Sequence, residues 1–309
     1  MASEFTAVDW DDRLVEDFQH LLYLAVREDL GRHYDLTTMA VVDEGAVGHA
    51  ALVARQKGVV AGMPAARLVL AEFDARLVIS PRHHDGDDVE PGTVLATIDG
   101  PARSLLTAER LVLNFVGRLS GIATLARRYV RKVTGTKARI YDTRKTTPGW
   151  RRLEKYAVRI GGGWNHRQGL YDAVLIKDNH LALAVGQHRS PADAVRRARV
   201  FIEHHCGDER GAPTVVEVEI DSLDQLDAVL DAAPDIILLD NMRPSELAEA
   251  VRRRDTSGSI CILEASGSVR LETVAEIAAT GVDRISVGAL THSAIWLDVA
   301  LDWLPNAVP

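Results

Sequence analysis

The chain has 309 residues, 47% of them hydrophobic and 26% charged, and a formal net charge of −8. That length suits two domains, or one barrel with an appendage, and an acidic balance without a basic tail argues against nucleic acid as the partner. Cys206 and Cys261 lie too far apart for a metal-ligand spacing or a disulfide framework, no apolar run reaches membrane-span length, and the acidic start lacks a secretory core, so a reducing, cytoplasmic setting is expected.

In chain order, apolar periodicity predicts an amphipathic helix over 18–30, stopped by Gly31. Strands are expected over 49–54, 58–62, 77–79 and 93–98, with a helix over 64–73. Asp85-Gly86-Asp87-Asp88 and Pro91-Gly92 read as turn material. The three aspartates lack the ligand series of a calcium loop, so a solvated hairpin turn with exposed His83 and His84 is expected. This half reads as a small, mostly antiparallel sheet. A long helical region follows over 105–131, with Gly121 as the place where it would break in two. Its apolar residues, among them Leu111, Phe115 and Leu119, read as core or a subunit contact.

The stretch 142–180, DTRKTTPGWRRLEKYAVRIGGGWNHRQGLYDAVLIKDNH, organises the rest. Its Lys and Arg residues outnumber its acids, 8 − 4 = +4, inside a chain of net −8. That contrast indicates a focused site for a small anion. A strand over 139–142 leads into the loop 143–149, and a helix over 153–160 is broken by Gly161-Gly162-Gly163. A buried strand over 173–176 ends at Lys177. Arg144, Lys145, His166, Arg167 and Lys177 therefore follow strands or sit in a glycine-opened loop, positions that converge on one mouth in parallel α/β architectures. Gathering unpaired like charges costs several kcal/mol unless acids or an anionic ligand complete them.

From 181 onward, helices over 191–205, 223–232, 244–254 and 271–279 alternate with strands over 214–219, 235–239, 259–263 and 283–287. Such alternation demands a parallel sheet with right-handed crossovers. Counted from 139 there are about six strands, fewer than the eight of a full barrel. His292 and Trp296 read as packing residues of the tail.

DTRKTTPG, LEKYAVRIGGGWNHRQGL and LIKDNH resemble quinolinate phosphoribosyltransferase, the carboxylating nicotinate-nucleotide pyrophosphorylases. EDLGRHYDLTT and SLLTAERLVLNFVGRLSGIAT extend the likeness over most of the chain, with Tyr34 and Ser268 standing where the family usually has glycine. The resemblance implies a barrel-like parallel α/β domain of about six strands (131–289) and a smaller N-terminal α+β sheet domain (1–130). A C-terminal tail (290–309) is expected to pack back on the latter. It also implies phosphoribosyl transfer from 5-phosphoribosyl 1-pyrophosphate to quinolinate with Mg²⁺. The products are nicotinate mononucleotide, pyrophosphate and CO₂, a step of de novo NAD biosynthesis.

By the same resemblance, Arg144 and Arg167 bind the substrate carboxylates, joined by Arg110 from the partner subunit of a homodimer. Lys145 and His166 add charge and orientation. Lys177, Glu219 and Asp240 face the ribose and pyrophosphate, with Glu219 and Asp240 as the ligands of Mg²⁺. Ser266-Gly267 and Gly288-Ala289 offer backbone amides to phosphate. Lys145, Lys177, Glu219 and Asp240 are thus the expected catalytic group. The alternatives are a paralogous phosphoribosyltransferase acting on another aromatic acid, a non-catalytic anion sensor on the same scaffold, and an aldolase using Lys177 as a Schiff-base amine.

Overall fold

The structure, a computed structural model, describes residues 5–183, 190–205 and 214–305. The described residues form two compact units, one built from 8–127, 146–162 and 290–305, the other from 5–7, 128–145 and 163–289. Among them no helix is long and apolar enough to cross a membrane.

The first unit opens with α1 (Asp12–Leu30), which starts earlier than its apolar periodicity because Asp11 caps it, accepting the Leu14 N–H at 2.8 Å. Next come α2 (Leu36–Val41), β1 (Val47–Ala54), β2 (Gly58–Val59), α3 (Met63–Phe73), β3 (Val78–Pro81), β4 (Asp88–Val89), β5 (Val94–Pro101) and α4 (Ala102–Lys132). The expected break in α4 does not occur. A Cβ on Gly121 would meet the Ile295 carbonyl oxygen at 2.2 Å, so this glycine permits a close approach within the unit and does not end the helix. Asp85 is not a solvated turn residue either. It accepts the N–H groups of Gly62 and Met63 at the start of α3 and the Tyr156 hydroxyl, and burial pushes its carboxyl pKa up. His83 is half-buried, with a ring nitrogen 3.1 Å from the Val94 carbonyl oxygen.

The chain continues with β6 (Arg139–Tyr141), α5 (Arg151–Ile160), β7 (Val174–Ile176), α6 (Asp178–Leu183), α7 (Pro191–His205), β8 (Val216–Ile220) and α8 (Leu226–Asp231). It ends with β9 (Ile236–Asp240), α9 (Pro244–Ser257), β10 (Ile262–Ser266), α10 (Val274–Ala279), β11 (Arg284–Ser286), α11 (Ala289–His292) and β12 (Val299–Trp303). β12 pairs antiparallel with β1 in the sheet β12-β1-β5-β3. α5 belongs to this first unit, so 131–289 is not one continuous domain: Thr146–Gly162 leaves it. What holds α5 is Glu154, fully buried and paired with Arg118 of α4 at 2.5 Å, a carboxylate that also takes the Thr147 hydroxyl. In the tail Leu297 is buried and Trp296, about half exposed, lies against α4 near Gly117, whereas His292 is exposed and does not pack as expected.

The second unit is a six-stranded parallel sheet in the order β6-β11-β10-β9-β8-β7. Because β6 pairs with the last strand and not with β7, the order is that of a barrel wall left unpaired at one seam. Trp164 bridges to Tyr141 along the other edge of β6, donating its N–H to the Ile140 carbonyl at 2.8 Å. Strand alternation stacks one face in layers. Ala173, Val215, Ile236 and Ile262 cluster at the strand starts with Phe5 against them. Glu217, Glu264 and Arg284, all buried, come next, and Glu264 registers with Arg284. Glu219, Asp240, Ser266 and Ser286 follow on the same face at the strand ends. β10 runs three residues later than the expected 259–263, which brings Glu264 inside the strand. Cys261, just before it, is buried, and its thiol is pushed up to about 12, chiefly by desolvation. Cys206 lies outside the described residues.

Candidate active site

The strand ends of the parallel unit enclose a cavity of about 610 Å³, within the usual size of small-molecule sites. Arg144, Lys145, His166, Arg167, Lys177, Glu219, Asp240, Ser266 and Gly267 line it, together with Asn241, Glu264, Ser268 and Ser286. Two expected members are not in the lining: Gly288, half-buried before α11, and Arg110, exposed on α4 in the other unit.

Two loops bring in the arginines. The first leaves β6, where the Lys145 N–H donates to the Thr143 hydroxyl at 3.0 Å and turns the chain. Arg144 follows that hydroxyl, and its Nε is buried without a protein acceptor. The second, 163–167, is held by Asp142, whose fully buried carboxylate accepts the Asn165 side-chain amide at 2.6 Å and the His166 N–H at 2.8 Å. Arg167 in that loop is 6% exposed and donates Nη1–H to the Ala173 carbonyl at 2.9 Å. Burial first, then the neighbouring Arg144, lowers its pKa from the ordinary arginine value. Two guanidiniums held close enough to perturb each other create a standing demand for an anion.

Lys177, at the end of β7, is ion-paired with Glu219 of β8. That pairing holds the amine against a carboxylate, whereas a Schiff-base lysine must present its amine to a substrate carbonyl. Asp240, ending β9, accepts from the Asn241 side-chain amide at 2.7 Å. Asn241 and Gly267 both hold positive φ, +53° and +97°, and the Asn241 N–H donates to the Ser266 carbonyl at 2.9 Å. A Cβ on Gly267 would lie 2.1 Å from Asn241 Oδ1, so this crossing requires glycine. Ser268 keeps φ at +48°, a conformation glycine adopts without strain and serine adopts at a cost of about 1 kcal/mol.

His166 sits among buried groups. Its Nδ1 accepts the Arg167 backbone N–H at 2.8 Å, while Nε2 lies 3.0 Å from Glu217 Oε2 and 3.5 Å from Glu264 Oε1. Both carboxylates are fully buried, and desolvation foremost raises the Glu264 pKa to about 7. Sequence reasoning missed Glu217, Glu264, Arg284 and the bracing Asp142. The signal for Glu217 was present: in a strand whose acids alternate with valines, it shares the face of Glu219.

The cavity therefore combines two guanidiniums for planar carboxylates, two lysines, and carboxylates on adjacent strands β8 and β9.

Comparison with known proteins gives a consistent picture. Residues 35–120 match the model of the quinolinate phosphoribosyl transferase N-terminal domain, and residues 122–302 that of its C-terminal domain. The chain is 49% identical over 282 residues to a carboxylating nicotinate-nucleotide pyrophosphorylase of Mycobacterium leprae, covering 90% of this chain and 94% of that one. A probable enzyme of the same name from Bacillus subtilis is 41% identical, with 89% of each chain covered. The structure of the nicotinate-nucleotide pyrophosphorylase from Francisella tularensis superposes with a TM-score of 0.86 at 34% identity, over 97% of this chain and 99% of that one.

Proposed function

This chain belongs to the quinolinate phosphoribosyl transferase family, and we infer from that membership and the cavity's chemistry that it transfers the phosphoribosyl group of 5-phosphoribosyl 1-pyrophosphate to quinolinate. The products are nicotinate mononucleotide, pyrophosphate and CO₂, as in NAD biosynthesis. The observation that carries the reading is that Arg144, Lys145, Arg167 and Lys177 line one cavity with Glu219 and Asp240.

Quinolinate is a planar dicarboxylate, and guanidiniums match carboxylates with two parallel N–H donors. Arg144, with an unused buried donor, and Arg167 are its anchors. Held there, the ring nitrogen attacks the anomeric carbon as pyrophosphate departs through an oxocarbenium-like state. Lys145 and Lys177 counter the charge growing on the leaving oxygen, and no nucleophilic side chain is needed. The pyridinium formed then stabilises the electron pair left on the ring as the 2-carboxylate leaves as CO₂, and that carbon takes up a proton.

Glu219 and Asp240 fit Mg²⁺, which favours one or two carboxylates plus substrate phosphate oxygens, and both line the cavity. Bound there, the ion would supply charge neutralisation on the departing pyrophosphate. Ser266 and Gly267, at a tight turn in the lining, suit a phosphate, with Gly288 a further amide. Exposure of Arg110 on α4 supports its service to the partner's site in a homodimer. Widely separated cysteines, one of them buried, fit a cytoplasmic setting.

The test is CO₂ release from quinolinate labelled at the 2-carboxylate, with 5-phosphoribosyl 1-pyrophosphate and Mg²⁺. CO₂ and pyrophosphate should appear in equal amounts, and nicotinate should give none. Binding of quinolinate without turnover would support the anion sensor instead; turnover of another aromatic acid alone would support the paralogue.

A further inference from the structure

His166 lines the cavity, yet both ring nitrogens have protein neighbours. Nδ1 takes the Arg167 backbone N–H at 2.8 Å, which requires a bare lone pair on that nitrogen. The ring proton is then on Nε2, which lies 3.0 Å from Glu217 Oε2 and 3.5 Å from Glu264 Oε1. The carboxylates stand on β8 and β10, each with no solvent exposure. The ring face packs on Phe5, centroids 4.5 Å apart. Arg284, 2% exposed, registers with Glu264 and lies over the Tyr141 ring at 4.6 Å.

We propose that His166 is held in its neutral Nε2–H form with that proton facing Glu217 and Glu264, so that Nδ1 holds the Arg167 main chain and thereby the guanidinium that receives the substrate carboxylate. His166, Glu217 and Glu264 are then positioning residues. The histidine of the cavity contributes placement, not positive charge.

Two observations favour this over a metal ion bound by the same three side chains, whose ligand atoms all lie within 4.8 Å of one another. Arg284 supplies a permanent positive charge next to Glu264, which disfavours a second cation there. Burial also drives Glu264 towards its neutral form, leaving less charge for a metal to neutralise. Among the described residues no oxygen of Glu217 or Glu264 has an aligned hydrogen-bond partner, so the carboxylates face Nε2 at ion-pair distance and the Arg167 N–H on Nδ1 is what sets the tautomer.

The inference rests on the proposed reaction for its kinetic arm only. Nitrogen-15 spectra of histidine-labelled, unaltered protein at pH 7, with the His166 signal assigned through His166→Gln, should show Nε2 protonated and Nδ1 bare. A doubly protonated ring or an Nδ1–H tautomer overturns the proposal, as does a shift of that signal on adding Zn²⁺. In the kinetic arm, glutamine offers one acceptor and one donor, as the neutral ring does, whereas lysine keeps a charge and has no acceptor. His166→Gln should raise the quinolinate KM by no more than about tenfold with kcat largely retained, one hydrogen bond's worth of misplacement. His166→Lys should lose more than about a hundredfold in kcat/KM, two misplaced bonds or more. His166→Lys performing as well as or better than His166→Gln overturns the proposal. If unaltered protein fails to turn over quinolinate, the proposed function falls, and the spectra still decide this inference.

Discussion

Burial sets the role of each charged residue in the cavity. Among the described residues neither Arg144 nor Arg167 is ion-paired with a carboxylate, although Glu217 and Asp172 act on Arg167 at longer range, whereas Lys177 already has Glu219. Deeper in, Glu264 carries a pH signature. Its carboxyl moves from 4.5 to about 7, mainly through desolvation. The folded state therefore binds a proton that the unfolded chain releases between those values, and stability falls as pH rises through that window. Glu264→Gln removes the ionisation while keeping the shape. Its Tm relative to the unaltered protein should climb by several degrees between pH 5 and 7.5, read by calorimetry; parallel Tm curves would contradict the assignment.

At the scale of elements, Gly121 separates two opposing effects. Alanine in a helix is worth about 1 kcal/mol over glycine, yet its Cβ would press on the Ile295 carbonyl at 2.2 Å. Backbone cannot yield as a side chain can, so Gly121→Ala should destabilise by about 1–3 kcal/mol, seen as a lower Tm. Equal or higher stability would mean the chain at Ile295 moves freely. The same glycine shows where the sequence misleads: within α4 it resembled a break, because close approach and helix ending both select glycine. The alternation of strand and helix and the parallel order were readable from apolar runs such as Ile236-Ile237-Leu238-Leu239. The end of β10 was not. Ser259-Ile260 looked like its start and Glu264 like the loop beyond, since a carboxylate inside a buried strand is costly unless His166 and Arg284 lie next to it. Those partners come from distant segments and cannot be read from the strand itself. Asp85 was misread for the same reason: its contacts with Gly62 and Tyr156 span tens of residues.

For the whole molecule, Arg110 decides whether a single chain suffices. If it serves the partner's cavity, Arg110→Ala and Arg144→Ala are each inactive alone, but mixed and reassembled they regain one intact site per hybrid dimer. With random assembly that amounts to about a quarter of the unaltered protein's activity, since half of the dimers are hybrids and each has one intact site of two. No recovery would mean that Arg110 acts within its own chain or not at all. The comparisons make the family plain, while the cavity makes a narrower demand, that a dicarboxylate meets Arg144 and Arg167 together. The direct measurement is a crystal structure of the protein with quinolinate. The account predicts the ligand in the cavity at the ends of β7 to β10, its carboxylates within hydrogen-bond distance of both guanidiniums. Quinolinate bound elsewhere, or bound there with its carboxylates turned away from Arg144 and Arg167, would contradict it.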